Sequence, residues 1–524
     1  MIAQSEFPQI VGPSYTYPSW PIDCQESINF EPLPVESKDS PYKSMLVGTP
    51  GIEHVKFSLG GVEYDHVPAG GDYPIRGIHR CMRGFGGDPN PATVIVAGKY
   101  VYEMKQPVDG VSQLVQVFEL PGSEYVTRVS IADGGGESGS AYPPKIVIAD
   151  GTYFNIIDMD TPGQSTTLPI GTAPCSPDFV TFLDARIYAC GKTISTGLKE
   201  QRVYWSDINS PDVWDASNFI SAAVSNDPLQ CVKAVSTYLW MIGTDSFEIW
   251  QTSQSSGTLY SPIRKVMGSA DGVGTASGRS VATISNRIYF VGGGPTGHAR
   301  IYEGEGTKVH YISTDAMEQE LSKYNLEQSV GFCYSDEGRA YYCVTFLDDD
   351  VTWVYCHESK SWHKRSSRSS DNVYHKWEAG CATYNWDKVF VGSVQGNKVY
   401  RLGSDIYTDD GMAIVRKRVS PHIVTGPNVT LHYSLTLDVE TGTALAYGHG
   451  SEPQVMLQAI DDGGRIKRGE RWISTGKQGN YRKRVKWYRL GQARDRAYEI
   501  VVSDPVRWCI YGARIEFDKQ KGGL

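Results

Sequence analysis

The sequence has 524 residues, 40% of them apolar, and a formal net charge of −9. This length exceeds what one hydrophobic core ordinarily serves, so two or more domains are expected, and the apolar fraction excludes a disordered chain. No run is long or apolar enough to cross a bilayer. Ten Cys are scattered without CxxC pairs, which predicts free thiols in a reducing cytoplasm rather than a disulfide framework.

The charge is distributed unevenly along the chain. From Asp410 to the end there are 19 Lys and Arg against 12 Asp and Glu, a balance of +7, and the preceding residues carry −16. Solvated faces explain such charges residue by residue. The block difference, however, indicates that the two parts face different partners.

Residues 1–60 are rich in Pro and irregular. Residues 27–35 could form a short edge strand, and residues 46–52 end in a turn. This composition predicts an extended N-terminal arm that packs on other elements rather than a domain of its own.

Residues 61–408 carry a repeated unit, which is clearest at residues 231–252. Three short runs of β-branched and aromatic residues are separated there by polar turn residues, a pattern typical of a three-stranded antiparallel meander. Copies of the unit recur along the chain. The register marks that we take for the copies are Ala97, Ala149, Ala189, Ile242, Val291, Val344 and Val391.

These marks follow one another at intervals of roughly 50 residues, with three or four strands per unit, which predicts a β-propeller of six or seven blades. One such sheet cannot bury both faces alone, whereas radial stacking buries them all. A long β-sandwich or β-helix is the alternative. Two stretches break the rhythm: residues 107–142, with a strand at 114–120, and residues 314–327, which predict a short helix capped by Thr314 or Asp315.

Residues 409–524 differ in rhythm and predict a C-terminal β-sandwich in an otherwise all-β protein. The expected strands are residues 431–439, 454–459, 483–490, 497–502 and 508–517. One of them alternates basic and apolar residues. Its candidate interface cations are Arg482, Lys483, Arg484, Lys486 and Arg489. Alternation turns Trp487 inward with Val485, so a protein interface or a solvated strand face is favoured over contact with nucleic acid.

No sequence motif for catalysis or cofactor binding is found. There is no HExxH, no GxSxG elbow, no P-loop and no dinucleotide fingerprint, so neither catalytic residues, metal ligands nor a cofactor is predicted. Residues 461–472 have the outline of the Asp-box turn of sialidases, without its Ser and Thr neighbours. A propeller that binds or hydrolyses glycans on a host surface therefore stays open as an alternative.

Several ordered patterns resemble the tail hub, or nozzle, proteins of short-tailed bacteriophages, which are also called packaged-DNA stabilisation proteins. The N-terminal patterns are INFE at 28–31 and LVGTPGI at 46–52. The central patterns are VYWSD at 203–207, PDVW at 211–214 and GTDSFEIW at 243–250. The C-terminal patterns are RVKW at 484–487, RLGQAR at 489–494, VR at 506–507 and GARIE at 512–516.

This resemblance implies a non-enzymatic structural protein of the virion tail, assembled in the host cytoplasm. It implies a propeller plus a sandwich, with six copies in a ring below the head-to-tail adaptor protein. The ring would surround the exit channel for double-stranded DNA, retain the packaged genome, and carry fibres or spikes and a tail tip or needle. A cellular scaffolding propeller is a third possibility, because the repeats alone do not demand a virus.

Overall fold

The structure is a computed structural model that describes residues 3–20, 22–122, 126–140, 142–169, 172–222, 225–253, 263–266, 272–293, 299–368, 373–424 and 429–519. Strands dominate it, as the all-β prediction requires. The N-terminal strands are β1 (Ala3–Glu6), β2 (Tyr15–Thr16), β3 (Cys24–Ile28), β4 (Phe30–Pro34), β5 (Ser44–Gly48), β6 (Gly51–His54), β7 (Lys56–Leu59) and β8 (Val62–Tyr64).

Seven sheets, the blades, follow in chain order. Blade 1 is β9 (Ile75–Cys81), β10 (Ala92–Ala97), β11 (Tyr100–Met104) and β12 (Val111–Glu119). Blade 2 is β13 (Ser130–Asp133), β14 (Lys145–Ala149), β15 (Phe154–Asp158) and β16 (Thr166–Thr167). Blade 3 is β17 (Ser176–Leu183), β18 (Arg186–Lys192), β19 (Arg202–Asp207) and β20 (Ser210–Ser221). Blades 4 and 5 are β21 (Leu229–Val235), β22 (Tyr238–Gly243), β23 (Phe247–Thr252) and β24 (Ile263–Lys265); and β25 (Ala282–Ile284), β26 (Arg287–Gly293), β27 (Ala299–Glu305) and β28 (Lys308–Tyr311). Blade 6 is β29 (Ser329–Asp336), β30 (Arg339–Phe346), β31 (Val351–Cys356) and β32 (Ser361–Arg368), with β33 (Tyr374–Lys376) beside it, and blade 7 begins with β34 (Ala379–Asn385), β35 (Lys388–Ser393) and β36 (Val399–Gly403).

The C-terminal strands complete the list. They are β37 (Thr408–Asp409), β38 (Met412–Ala413), β39 (Arg416–Val419), β40 (Ile423–Val424), β41 (Thr430–Val439), β42 (Gln454–Asp461), β43 (Ile466–Lys467), β44 (Arg471–Ser474), β45 (Val485–Ala493), β46 (Asp495–Val502) and β47 (Cys509–Lys519).

The blades stack around a common centre through apolar side chains. The first strand of each blade, or the turn that leads into it, contacts the first strand of the next blade, and β34 of blade 7 contacts β9 of blade 1. Seven hydrophobic clusters lie between successive blades. The cluster between blade 7 and blade 1 holds Phe390 and Ile95, both at most 1% exposed. Burial of both faces of each small sheet is the reason for radial stacking that the repeat predicted.

The predicted repeat is confirmed strand by strand. Each of the seven marks falls on the second strand of a different blade and is fully buried. The meander predicted at residues 231–252 is the antiparallel series β21, β22 and β23. Short turns and β-branched runs are local signals, so a single sequence carries them reliably.

The fourth strand of blade 7 comes from the N-terminal segment. Strand β6 pairs antiparallel with β36, with Glu53 opposite Arg401. Gly51 starts β6, and a Cβ there would lie 2.3 Å from the carbonyl oxygen of Thr408, so only glycine fits without a shift of the backbone. A strand from the start of the chain therefore completes the last blade.

Two sheets form the C-terminal β-sandwich. One has the order β4, β5, β47, β41 and β45, with β1 added to β47, and the other holds β39, β46 and β42 with β40, β43 and β44. Their apolar faces share a core that includes Leu435, Val455, Trp487 and Ile500. The second sheet continues through β3 into β32 of blade 6, so the two parts of the chain are joined by a hydrogen-bonded sheet.

The expected edge strand at residues 27–35 is two strands. Strand β4 lies at a sheet edge, but β3 lies between β32 and β39, so the edge prediction was wrong for it. Asn29 separates them with a φ of 55°, a left-handed conformation that Asn tolerates better than most residues. Its buried amide nitrogen donates to the carbonyl oxygens of Ser366 and Val415, each at 2.9 Å, and thereby ties the arm to both parts.

The predicted helix at 314–327 is shorter than expected. Helix α1 (Asp315–Leu321) begins after Thr314, whose hydroxyl accepts from the backbone N–H of Met317, and a 3-10 turn follows at Leu326–Gln328. In the described part of the chain, no helix is long and apolar enough to cross a membrane. The domain boundaries at residues 60 and 408 stay a prediction, since strands from residues 3–60 pair with both later parts.

Candidate functional site

The cations predicted as an interface lie at one edge of the sandwich. Strand β45 begins at Val485 rather than at residue 483, so Arg482, Lys483 and Arg484 are exposed in the turn that precedes it. Arg489 has a φ of 57°, which interrupts the alternation and leaves it exposed. Strand β45 is the last strand of its sheet, and charged residues commonly protect such an edge from pairing with another chain.

The five cations differ in how far they are neutralised. Lys486 Nζ lies 3.1 Å from Oε1 of Glu516, which is on β47, on the other side of β41 from β45. Among the residues that the structure describes, no carboxylate oxygen lies within 4.0 Å of the other four cations, Arg482, Lys483, Arg484 and Arg489. The five predicted interface cations are therefore four unpaired cations and one, Lys486, in an ion pair.

Aromatic side chains extend this surface. Tyr481, Tyr488 and Trp472 are 74%, 62% and 50% exposed. Arg471 donates to the carbonyl oxygens of Tyr488 at 2.6 Å and Arg489 at 3.1 Å, which joins the edges of the two sandwich sheets. We define the basic edge as the four free cations with these three aromatics. Sequence reasoning missed Trp472, because only the fold brings β44 beside β45.

The centre of the propeller is a second candidate site. Two adjoining cavities of about 230 and 450 Å³ lie where the first strands converge, and they share Arg128, Asp178, Phe179 and Arg279 as walls. Their cationic lining consists of Arg128, Lys192, Lys199, Lys233 and Arg279. The sequence predicted no site at this place, and none of these five cations is among the predicted interface cations.

The central charges are mainly positive. Lys192 Nζ lies 3.5 Å from Asp178 Oδ1, whereas Arg128, Lys233 and Arg279 have no ion pair within the described ranges. Burial, with a smaller contribution from the nearby Arg279 charge, lowers the pKa of Arg128. Such a lining suits an anion. The lining holds two carboxylates, those of Asp178, which is held by Lys192, and Glu327, against five cations.

The Asp-box outline at residues 461–472 has a structural role. Asp461 is 2% exposed and accepts two hydrogen bonds from Arg496, at 2.7 and 2.9 Å, and one from Arg468 at 2.7 Å. Burial would raise the pKa of Asp461, but these hydrogen bonds and charges outweigh it and hold that pKa below its usual value. A carboxylate committed to a buried ion pair is not available to a substrate.

Comparisons with known proteins agree with this architecture. Residues 176–407 match the family model described as "Bacteriophage P22 Gp10, beta-propeller", and residues 416–518 match "Bacteriophage P22 Gp10, beta-sandwich". Together these matches cover nearly two thirds of the chain. A search of curated proteins finds no match.

Among solved structures, the chain is similar to the extracellular domain of BT4673, a one-component system protein from B. thetaiotaomicron, with 9% identity and a TM-score of 0.39. That alignment covers 75% of this chain but only 45% of the other. The N-terminal domain of Nup159 aligns at 7% identity and a TM-score of 0.36, over 60% of this chain and 86% of the other. The designed protein Ika8 aligns at 12% identity and a TM-score of 0.33, over 72% and 99%.

The order of the two family matches follows the order of the two structural parts, with the propeller blades before the sandwich. The seven stacked blades and the two-sheet sandwich are the folds that those two descriptions name. The chain therefore belongs to the family of the bacteriophage P22 protein Gp10 and is a structural protein of a phage tail.

Proposed function

We propose that this chain is the subunit of the tail hub, or nozzle, a ring of six copies below the head-to-tail adaptor protein. The ring surrounds the exit channel, retains packaged double-stranded DNA until ejection, and anchors fibres or spikes and the tail tip or needle. It joins the virion tail after synthesis in the host cytoplasm. The observation that carries the proposal is the paired match to Gp10 over both parts, in chain order.

The hydrogen-bonded connection between the propeller and the sandwich suits a subunit that must withstand the pressure of packaged DNA. Strand β3 pairs with β39 of the sandwich, with Ser27 opposite Arg418, and touches β32 of blade 6 at Lys364. A flexible linker would let the propeller and the sandwich move independently. Paired strands hold the two parts more rigidly. A ring built from such subunits keeps its channel shape when packaged DNA presses on it.

The charge distribution supports contacts between copies. The basic edge projects from a block with a balance of +7, and residues 1–409 carry −16. A basic surface of one copy that meets an acidic surface of the next is a head-to-tail contact, and such contacts close into rings. Arg, Tyr and Trp are also the residues enriched at the centres of protein interfaces. Acidic surfaces left facing the channel repel DNA and let it slide.

Electron microscopy and mass photometry of the purified chain, alone and with its adaptor, test this proposal. We expect sixfold rings of six times the 57.9 kDa chain mass. The triple change Arg482→Glu, Lys483→Glu and Arg484→Glu should raise the concentration for half-assembly at least tenfold, which is about 1.4 kcal/mol.

A matched control changes three other exposed cations of the sandwich to Glu, namely Arg465, Lys477 and Arg494. This control should assemble as the wild type does. Equal loss in both variants would reject the basic edge as the interface. A wild-type chain that stays monomeric and never enters tail particles would overturn the nozzle assignment.

A further inference from the structure

The facing first strands of blades 1 and 2 bring three metal-binding side chains together. Gly77 of β9 lies against β13, because a Cβ at this position would be 3.1 Å from the Cδ1 atom of Ile131. Side chains alternate along a strand, so residues two further along face the same way. This register places His79 opposite Asp133, and Cys81 on the same face of β9.

We propose that His79, Cys81 and Asp133 form a site for one divalent transition-metal ion of the zinc class between blades 1 and 2. Their ligand atoms all lie within 4.8 Å of one another, and His79 Nε2 is 3.2 Å from Asp133 Oδ1. Nitrogen and oxygen ligands about 2.0–2.1 Å from a tetrahedral zinc ion are about 3.4 Å apart. The nitrogen and oxygen are close to this separation, and the Cys81 sulfur lies within 4.8 Å of both.

The His79 nitrogen is the second observation that points to a ligand. Nε2 is buried and makes no hydrogen bond to any residue that the structure describes. A buried polar atom without such a bond is costly, and a metal bond removes that cost. The carboxylate beside it is close enough for attraction but is not aligned as an acceptor.

The three donors select the metal. Sulfur and imidazole nitrogen favour zinc, cobalt and their neighbours over Ca²⁺ and Mg²⁺, which prefer oxygen ligands. On binding, the Cys81 thiol loses its proton to solvent, and the thiolate with the Asp133 carboxylate balances the two positive charges. Asp133 is 51% exposed and His79 lines the central cavity, so a water molecule can reach the fourth position. The ion would fasten one blade to the next.

Cobalt binding to the full chain tests this site directly. After treatment with a chelator, the protein is titrated with Co²⁺ and then with Zn²⁺. We expect one equivalent per chain, a thiolate-to-cobalt charge-transfer band in the near ultraviolet, and loss of that band when Zn²⁺ displaces the cobalt. Zn²⁺ should also raise the melting temperature, because it binds the folded chain.

The variants separate the site from general effects. Cys81→Ser should abolish the band, and Asp133→Asn should weaken binding about tenfold or more. Asp133 is half-exposed, so its variant keeps the fold even if the serine variant does not. The controls Cys190→Ser, a buried thiol in blade 3, and Asp184→Asn, at an exposed turn, should bind as the wild type does. No band in the wild type, or an equal band in Asp133→Asn, overturns the proposal.

Discussion

The buried ion pair in the sandwich offers the sharpest test of the packing. Arg496 and Asp461 are 1% and 2% exposed, and Arg496 also donates to the carbonyl oxygen of Leu490 at 2.8 Å. Replacing Arg496 by Met keeps most of its aliphatic volume but leaves the Asp461 charge poorly compensated. Removing one partner of a buried pair costs about 3–5 kcal/mol, so we expect a loss of about 4 kcal/mol in the free energy of unfolding.

Arg468 is the matched control for this change. Its Nε lies 2.7 Å from the same carboxylate, but its side chain is 53% exposed. Solvent-exposed pairs contribute about 0–1 kcal/mol, so Arg468→Met should cost less than about 1 kcal/mol. Because the Nε atoms of both arginines lie at the same distance from Asp461, a difference in their costs reports the effect of burial and not of distance.

Urea unfolding followed by tryptophan fluorescence measures these differences. Asp461→Ala should cost about as much as Arg496→Met, and the double variant should cost less than the sum by about 1–3 kcal/mol, because the two residues act as a unit. Equal costs for Arg468→Met and Arg496→Met, or strictly additive single costs, would refute the reasoning. Either result would mean that the pair is not desolvated.

Three further predictions concern other parts of the chain. Burial raises the pKa of Glu31 to about 7, so the stability that its neutral form contributes is present below pH 4.5 and is lost as pH rises through 7. The free energy of unfolding of Glu31→Gln should therefore gain about 2 kcal/mol relative to that of the wild type between pH 5 and pH 8. A difference in unfolding free energy that does not change with pH would contradict this. Thr314→Ala removes the cap on the N–H of Met317 and should cost about 1 kcal/mol by urea unfolding, whereas Thr314→Ser should cost little. Burial raises the pKa of Cys24 and Cys231 to about 12. Ellman's reagent at pH 8 should therefore react far more slowly with the native chain than with the urea-unfolded chain. Equal rates would show that the thiols are accessible in the native chain.

The blades could be predicted because their signals are local. Each hairpin carries its own turn and its own β-branched run, and the mark at Ile242 was readable without knowledge of any partner strand. The same holds for the cap at Thr314, although the helix ends at Leu321 because tertiary contacts, not propensity, decide where so short a helix stops.

Long-range pairing could not be predicted in the same way. Glu53 meets Arg401 across more than 300 residues, and nothing local in an irregular, Pro-rich segment indicates that it completes a blade. The cluster of His79, Cys81 and Asp133 was missed for the same reason. Its ligands lie on two blades more than 50 residues apart, so no spacing motif exists to find.

The basic edge was predicted in part. Alternation correctly turned Trp487 into the core, where it is 2% exposed. The neutralisation of Lys486 by Glu516, two strands away in the sheet, and the bulge at Arg489 depend on strand pairing and on the twist of the edge, which a single sequence does not specify. The sequence therefore predicted the surplus of positive charge at this edge, but not which of the cations are free and which are paired.

The central claim, that this chain is a ring-forming subunit of the tail conduit, is tested most directly by cryo-electron microscopy of tail particles that contain it. The account predicts six copies related by sixfold symmetry around a DNA channel, each with its propeller and sandwich held as one unit. Particles in which the chain is absent, or present as an isolated copy on the periphery, would contradict it.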